Sequence, residues 1–283
     1  MAIESLSVLT ETGEGKAYLA EQYGYVIERA NSDCISNQFK NTALSGDIKA
    51  GTLVARKFAF GELKPYGTAR ANGGGDKSKV ETVKVDLNND LERMHELEQT
   101  DTLLLGVEGA VEQELAGDSV VIAKELEEAF WTEAANTGTK VTTTETALNK
   151  KIDALIVALE TTKGKFTKGV NRRDMVLVLS PETYTALQEH IDTLPNAATG
   201  GTYEVFHKVP VYSSVDLPDG VDAIVLRARS IAQPVILIPI DSGKIPLSNA
   251  YAFGYQLKYG TKATNPELIK WIGTYDPDGD QGN

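Results

Sequence analysis

Three consecutive stretches decide how this chain is read. Thr52-Leu53-Val54-Ala55-Arg56-Lys57-Phe58-Ala59-Phe60 comes first, and Val80-Glu81-Thr82-Val83-Lys84-Val85-Asp86-Leu87 comes last. Between them lies Tyr66-Gly67-Thr68-Ala69-Arg70-Ala71-Asn72-Gly73-Gly74-Gly75-Asp76-Lys77. The last stretch places apolar residues at 83, 85 and 87, the period of a half-exposed strand. Three glycines in a row with a charged flank cannot pack a core, so the middle stretch reads as a long, flexible, exposed hairpin end. A connection this long within a compact domain usually binds something or is unstructured.

Downstream, Leu104, Val107, Val111 and Leu115 open a helical stripe that Ile122, Leu126, Ala129 and Phe130 continue, which predicts a long helix over 101–136. Its other face is acidic, with Glu108, Glu112, Glu114, Glu125, Glu127, Glu128 and Glu133, and Gly106, Gly109 and Gly117 mark a weak point or bend. Thr142 with Glu145 fits a capping box for a second helix, whose apolar face is Leu148, Ile152, Leu155, Ile156 and Leu159, with Gly164 as C-cap. Met175–Leu179 reads as a buried strand, and Ser180-Pro181-Glu182 as the cap of a short helix reaching about His190. Further strands are expected at 209–212, 223–226, 235–238, 251–259 and 268–275. Before residue 51 the reading is a short helix around Tyr18 to Ile27 and an extended arm from Asn31 to Gly51 with little core of its own. The class is α+β.

Composition removes several functions. The chain has 283 residues, with 28 Lys+Arg against 40 Asp+Glu and a net charge of −12, a poor match to nucleic-acid phosphate. The longest apolar run, Val235–Ile240, is interrupted by Pro239 and falls far short of the roughly 20 residues of a membrane helix. Cys34 is the sole cysteine, so neither an internal disulfide nor a cysteine metal cluster can form within one chain. His95, His190 and His207 are scattered, with no His-Glu-x-x-His pair, and read as surface or structural residues. Gly13-Glu14-Gly15-Lys16-Ala17 has a faint look of a phosphate loop but lacks the leading Gly and the Ser/Thr after Lys16. Asp276, Asp278 and Asp280 have calcium-loop spacing without the closing Glu. No catalytic, metal or cofactor site is expected. An arm, a hairpin and a long helix read as parts built for contacts between copies.

The order of these pieces resembles the major capsid proteins of tailed bacteriophages, with the Hong Kong 97-type fold, over about residues 40 to 275. The resemblance rests on Lys64-Pro65-Tyr66-Gly67-Thr68-Ala69-Arg70, the Gly-rich tip, Val83-Lys84-Val85-Asp86-Leu87, and Arg93 with Asp101. It continues through Arg172-Arg173-Asp174-Met175, Ser180-Pro181-Glu182-Thr183-Tyr184, His207-Lys208-Val209-Pro210-Val211-Tyr212, Asp216-Leu217-Pro218, Tyr259-Gly260-Thr261 and Pro266-Glu267-Leu268-Ile269. It implies an N-terminal arm (1–50), an extended E-loop hairpin (51–95), and a peripheral domain with the long spine helix (96–205). An axial domain with closing strands (206–275) and a flexible tail (276–283) complete the division.

What the resemblance implies is a shell protein of a virion, made in a bacterial host cytoplasm and assembling with itself into pentamers and hexamers. The shell would enclose double-stranded DNA without sequence-specific binding. A separate scaffolding protein is expected, because Met1 stands close to the arm, and a portal is implied as a further partner. The E-loop residues Arg56, Lys57, Tyr66, Arg70, Lys77 and Lys79 are expected at the subunit interface, the basic ones against Glu108, Glu112, Glu125 and Glu128 of the next spine helix. Lys77 and Lys79 are also placed where some family members cross-link. Two other readings stay open: an encapsulin-like nanocompartment shell, and a soluble α+β enzyme with an unpaired carboxylate site.

Overall fold

The computed structural model describes residues 5–58, 66, 80–192 and 205–277, and of residues 190–192 the backbone only. Two helices open the chain, α1 (Leu6–Glu11) and α2 (Gly13–Asp33). The hairpin strands β1 (Thr52–Phe58) and β2 (Val80–Asp86) follow, then β3 (Asn89–Leu97) and the long helix α3 (Gly106–Thr137). Next come α4 (Leu148–Glu160), β4 (Met175–Leu179), α5 (Pro181–Asp192), β5 (Val209–Ser213) and β6 (Val221–Arg227). The chain closes with β7 (Val235–Lys244), β8 (Tyr251–Tyr259) and β9 (Ile269–Gly273).

The N-terminal region is more helical and more buried than the sequence suggests. Thr12 ends α1 and caps α2, its hydroxyl accepting from Gly15 N at 3.1 Å. A Cβ on Gly15 would overlap the carbonyl oxygens of Val8 and Leu9, so this glycine lets two helices meet and is no phosphate cradle. Leu19, Tyr23, Val26 and Ala30 line one side of α2 and are buried with Val107, Val111, Leu115 and Ile122 of α3. From about Cys34 the segment runs as short turns and extended chain, and Cys34 and Phe39 within it are buried, against the expectation of an arm with little core.

Helix α3 is 32 residues, about 48 Å at 1.5 Å per residue, and ties two bodies together. Its first two-thirds pack on α1, α2 and a three-stranded antiparallel sheet in the order β7-β8-β3. Register is set by Leu237 opposite Leu257 and by Phe253 opposite His95. Its last turns bury Phe130, Trp131, Ala134 and Ala135 against Ile224, Leu226 and Trp271. There the second body begins, a mixed sheet whose core strands run β9-β6-β4-β5, with β4 parallel to β5 and antiparallel to β6. Helices α4 and α5 cover one face of it, Ile152, Leu155, Ile156 and Leu159 being fully buried.

Several boundaries differ from expectation. Helix α4 starts at Leu148 with Ala147 as its N-cap and no side-chain cap; Thr143 instead accepts from Glu145 N in the preceding loop. It ends at Glu160, and Gly164 pairs with Thr167 in a tiny hairpin. The expected limit at 205/206 falls inside one sheet, because β4 lies between β5 and β6. The limit at 95/96 falls within β3, which belongs with β7 and β8. The Gly-rich tip and most of the tail expected to be flexible lie outside the described residues.

Candidate assembly surface

The hairpin base is built by alternation. Leu53, Ala55 and Val85 turn inward and are buried, while Arg56 faces solvent opposite Thr82. Lys57 lies opposite Glu81, and its Nζ stands 5.6 Å from the Phe166 ring centroid. Lys165 reaches Glu81 at 3.8 Å from the same turn, so the 163–168 hairpin props the base. Phe58 is paired with Val80, and the two are 61% and 48% exposed. Exposed apolar side chains facing each other on paired strands mark a surface that gains by being covered. Tyr66 is almost wholly exposed. Arg70, Lys77 and Lys79 lie outside the described residues.

The four glutamates expected on one acidic face do not share one. At about 100° per residue, Glu128 lies about 200° round α3 from Glu108. Glu108 and Glu112 stand beside Tyr18, whose hydroxyl is pushed up to about 12 by burial and then by those two charges. Glu125 accepts the Tyr259 hydroxyl at 2.6 Å, and Glu128 pairs with Lys124 at 3.5 Å. Part of the acidic helix surface is therefore used inside the subunit.

Two features escape sequence reading. Glu128, Asp216, Asp219 and Asp276 surround a hollow of about 580 Å³ at the end of the second body. Burial, followed by the charge of Glu128, raises the Asp216 carboxyl above its usual range, while Lys124 opposes this. These acids are distant in sequence, and no spacing rule connects them. The other is a buried cluster around Asp118, whose Oδ2 accepts from the Tyr255 hydroxyl at 2.8 Å and lies 2.6 Å from His95 Nε2, with Arg93 Nε 2.6 Å from Oδ1. Cys34 is buried, its thiol pushed up to about 11 chiefly by burial, and it donates weakly to Ala123 O at 3.5 Å. His207 lies 3.6 Å from Asp153 at a turn. Among the described residues no group of three or more His, Cys, Asp or Glu is placed to hold a metal ion, and no helix is long and apolar enough to cross a membrane.

No family model and no curated protein matches the sequence. Solved structures do match. One titled as the capsid structure of the cyanophage P-SCSP1u has a TM-score of 0.61 at 10% identity, over 86% of this chain and 88% of that one. One titled Mycobacterium phage Che8 has a TM-score of 0.58 at 15% identity, over 81% and 86%. A virus-like particle from Pyrococcus furiosus has a TM-score of 0.57 at 13% identity, over 89% and 98%.

Proposed function

We propose that this chain, which has the Hong Kong 97-type capsid fold, is the shell-forming subunit of an icosahedral particle of the tailed-phage kind. The observation that carries the reading is the match over 86% of this chain and 88% of a cyanophage capsid chain. The activity is assembly, and the role is structural, with no reaction to catalyse. Copies associate as pentamers and hexamers, with a scaffolding protein and a portal as partners, around double-stranded DNA.

The mechanism is interfacial. Phe58 and Val80 are exposed apolar side chains on the hairpin, and they are covered when it is laid on a neighbour. Its basic residues set register against acidic surface of the next copy. A single exposed ion pair contributes only about 0–1 kcal/mol, so burial repeated around each ring dominates. The net charge of −12 suits a container that must not grip the DNA driven into it.

Negative-stain electron microscopy of the purified full chain, alone and with a scaffolding partner, tests this. Closed shells or five- and six-membered rings are expected; a monomer under every condition contradicts it. A second reading, a cellular nanocompartment, is favoured by the likeness to the Pyrococcus furiosus virus-like particle. Shells that hold one host protein and no DNA would select it.

A further inference from the structure

The second body carries opposite charge at its two ends. At one end the 163–168 hairpin reads Lys-Gly-Lys-Phe-Thr-Lys, with no acid, in a chain of net charge −12. Lys163 and Lys168 stand opposite each other on its two strands, both exposed and neither in an ion pair among the described residues. The acids nearby are already engaged, Glu160 with Arg172 at 3.1 Å, Asp174 with Arg173 at 3.7 Å and Glu81 with Lys165 at 3.8 Å. At the other end is the hollow of Glu128, Asp216, Asp219 and Asp276. The loop Val215–Asp219 on its wall holds two acids and no base, and Lys124, paired with Glu128, is the cation that opposes them.

Strand directions hold these patches apart. A Cβ on Gly164 would lie 3.9 Å from the Glu267 carboxylate, just before β9, and Arg172–Asp174 lead into β4. Because β4 is parallel to β5 and antiparallel to β6, and β6 is antiparallel to β9, the ends of β4, β5 and β9 gather at the start of β6. There Ser213 is opposite Leu179 and Val221 opposite Gly273, and the hollow's aspartates lie just beyond. The seven residues of β6 put roughly 23 Å between the two ends.

Neither patch can neutralise the other within one subunit, and unlike patches on opposite ends suit a head-to-tail contact, the kind that closes into rings. We propose that the 163–168 hairpin of one copy seats Lys163 and Lys168 in the acidic hollow of the next copy. This contact rests on the reading of the chain as a shell subunit, and it deepens that reading by naming the surfaces that meet. The hairpin also props the base of the β1–β2 ribbon through Lys165 and Glu81, so a ribbon laid across a neighbour brings Lys163 and Lys168 toward the same neighbour. The hollow, about 580 Å³, has room for lysine side chains. Val215 on its rim is 80% exposed and offers apolar surface to their methylene stems.

Cysteine pairing reads the contact directly. Lys168→Cys and Asp219→Cys in one chain stand too far apart for an internal disulfide, which needs Cα atoms within about 7 Å. Mild oxidation of shells formed by this full-length double variant should give a ladder of covalent oligomers on non-reducing gels, which neither single variant gives. Charge supplies a second arm. Lys163→Glu with Lys168→Glu, and Asp216→Lys with Asp219→Lys, should each lower the assembled fraction about fivefold or more at low salt, and all four changes together should restore most of it. Melting temperatures of the unassembled subunits check that each variant folds. Shells that give no ladder, or reversed-charge variants that fold and assemble as the wild type does, overturn this contact and leave the shell reading standing. A wild type that never assembles overturns the shell reading and this contact with it.

Discussion

Glu127 Oε2 accepts the indole N–H of Trp131 at 2.6 Å, one turn along the same buried helix face. Its other oxygen accepts Ser36 N at 2.6 Å, so one carboxylate fastens the segment after α2 to the long helix. Glu127 is 4% exposed, and removing it strands two buried donors. Glu127→Ala should cost about 2–4 kcal/mol in urea unfolding. An unchanged midpoint would mean that the arm is not held this way.

Lys40 is 7% exposed, and its ammonium has no hydrogen-bond partner among the described residues. Burial lowers its proton affinity below the ordinary lysine value, with Cys34 and Glu127 partly offsetting this. A folded-state value below the unfolded one means that the charged form costs stability, fully so below the folded value. Lys40→Met should therefore stabilise the subunit at neutral pH by about 1–2 kcal/mol. The advantage should shrink as pH rises from the lowered value toward the ordinary 10.5. Thermal melts of both proteins from neutral to alkaline pH check the trend; a Met variant less stable at neutral pH refutes it.

Glu133 runs in the opposite sense to a salt-bridged carboxylate. Burial raises it first, against the hydrogen bond it accepts from Ala263 N and the charge of Lys262. A raised acid favours folding below its unfolded value and loses that contribution as pH climbs through the folded one. Glu133→Gln should match or exceed the wild type in stability at neutral pH and lose any advantage near pH 4. Paired urea titrations at the two pH values decide it, and an advantage confined to acid would reverse the sign.

The basic hairpin is tested by charge. Reversing Arg70 and Lys77 together should lower shell yield and raise the salt sensitivity of what assembles, while leaving the subunit's melting temperature nearly unchanged. Wild-type yield from the double variant would remove the proposed pairing with acidic surface on a neighbour.

Legibility followed the polarity of each buried face. The Ile152 to Leu159 face of α4 and the run Met175–Leu179 are apolar, and they stood out in sequence because their partners are apolar too. Strand β3 is not legible as a strand in the sequence. Its face toward α3 includes Arg93 and His95, which serve a buried Asp118, so its alternation is one of charge and shape with little hydrophobic contrast. Helix α2 was cut short because Gly13, Gly15 and Gly24 dilute its pattern, and Gly15 is required by contact with α1, which only the fold reveals. The long helix is legible nearly whole. Its acidic residues were assigned to one face because composition says nothing of what each carboxylate meets, and Glu125 and Glu127 meet groups inside their own subunit.

Cryo-electron microscopy of particles formed by the purified full chain tests whether it is a shell subunit. Icosahedral shells are expected, in which each copy keeps the α3 and β7-β8-β3 body and lays the hairpin that follows Phe58 across an adjacent copy. Particles without that symmetry, or a protein that stays monomeric at every concentration and with every scaffolding partner, would contradict it.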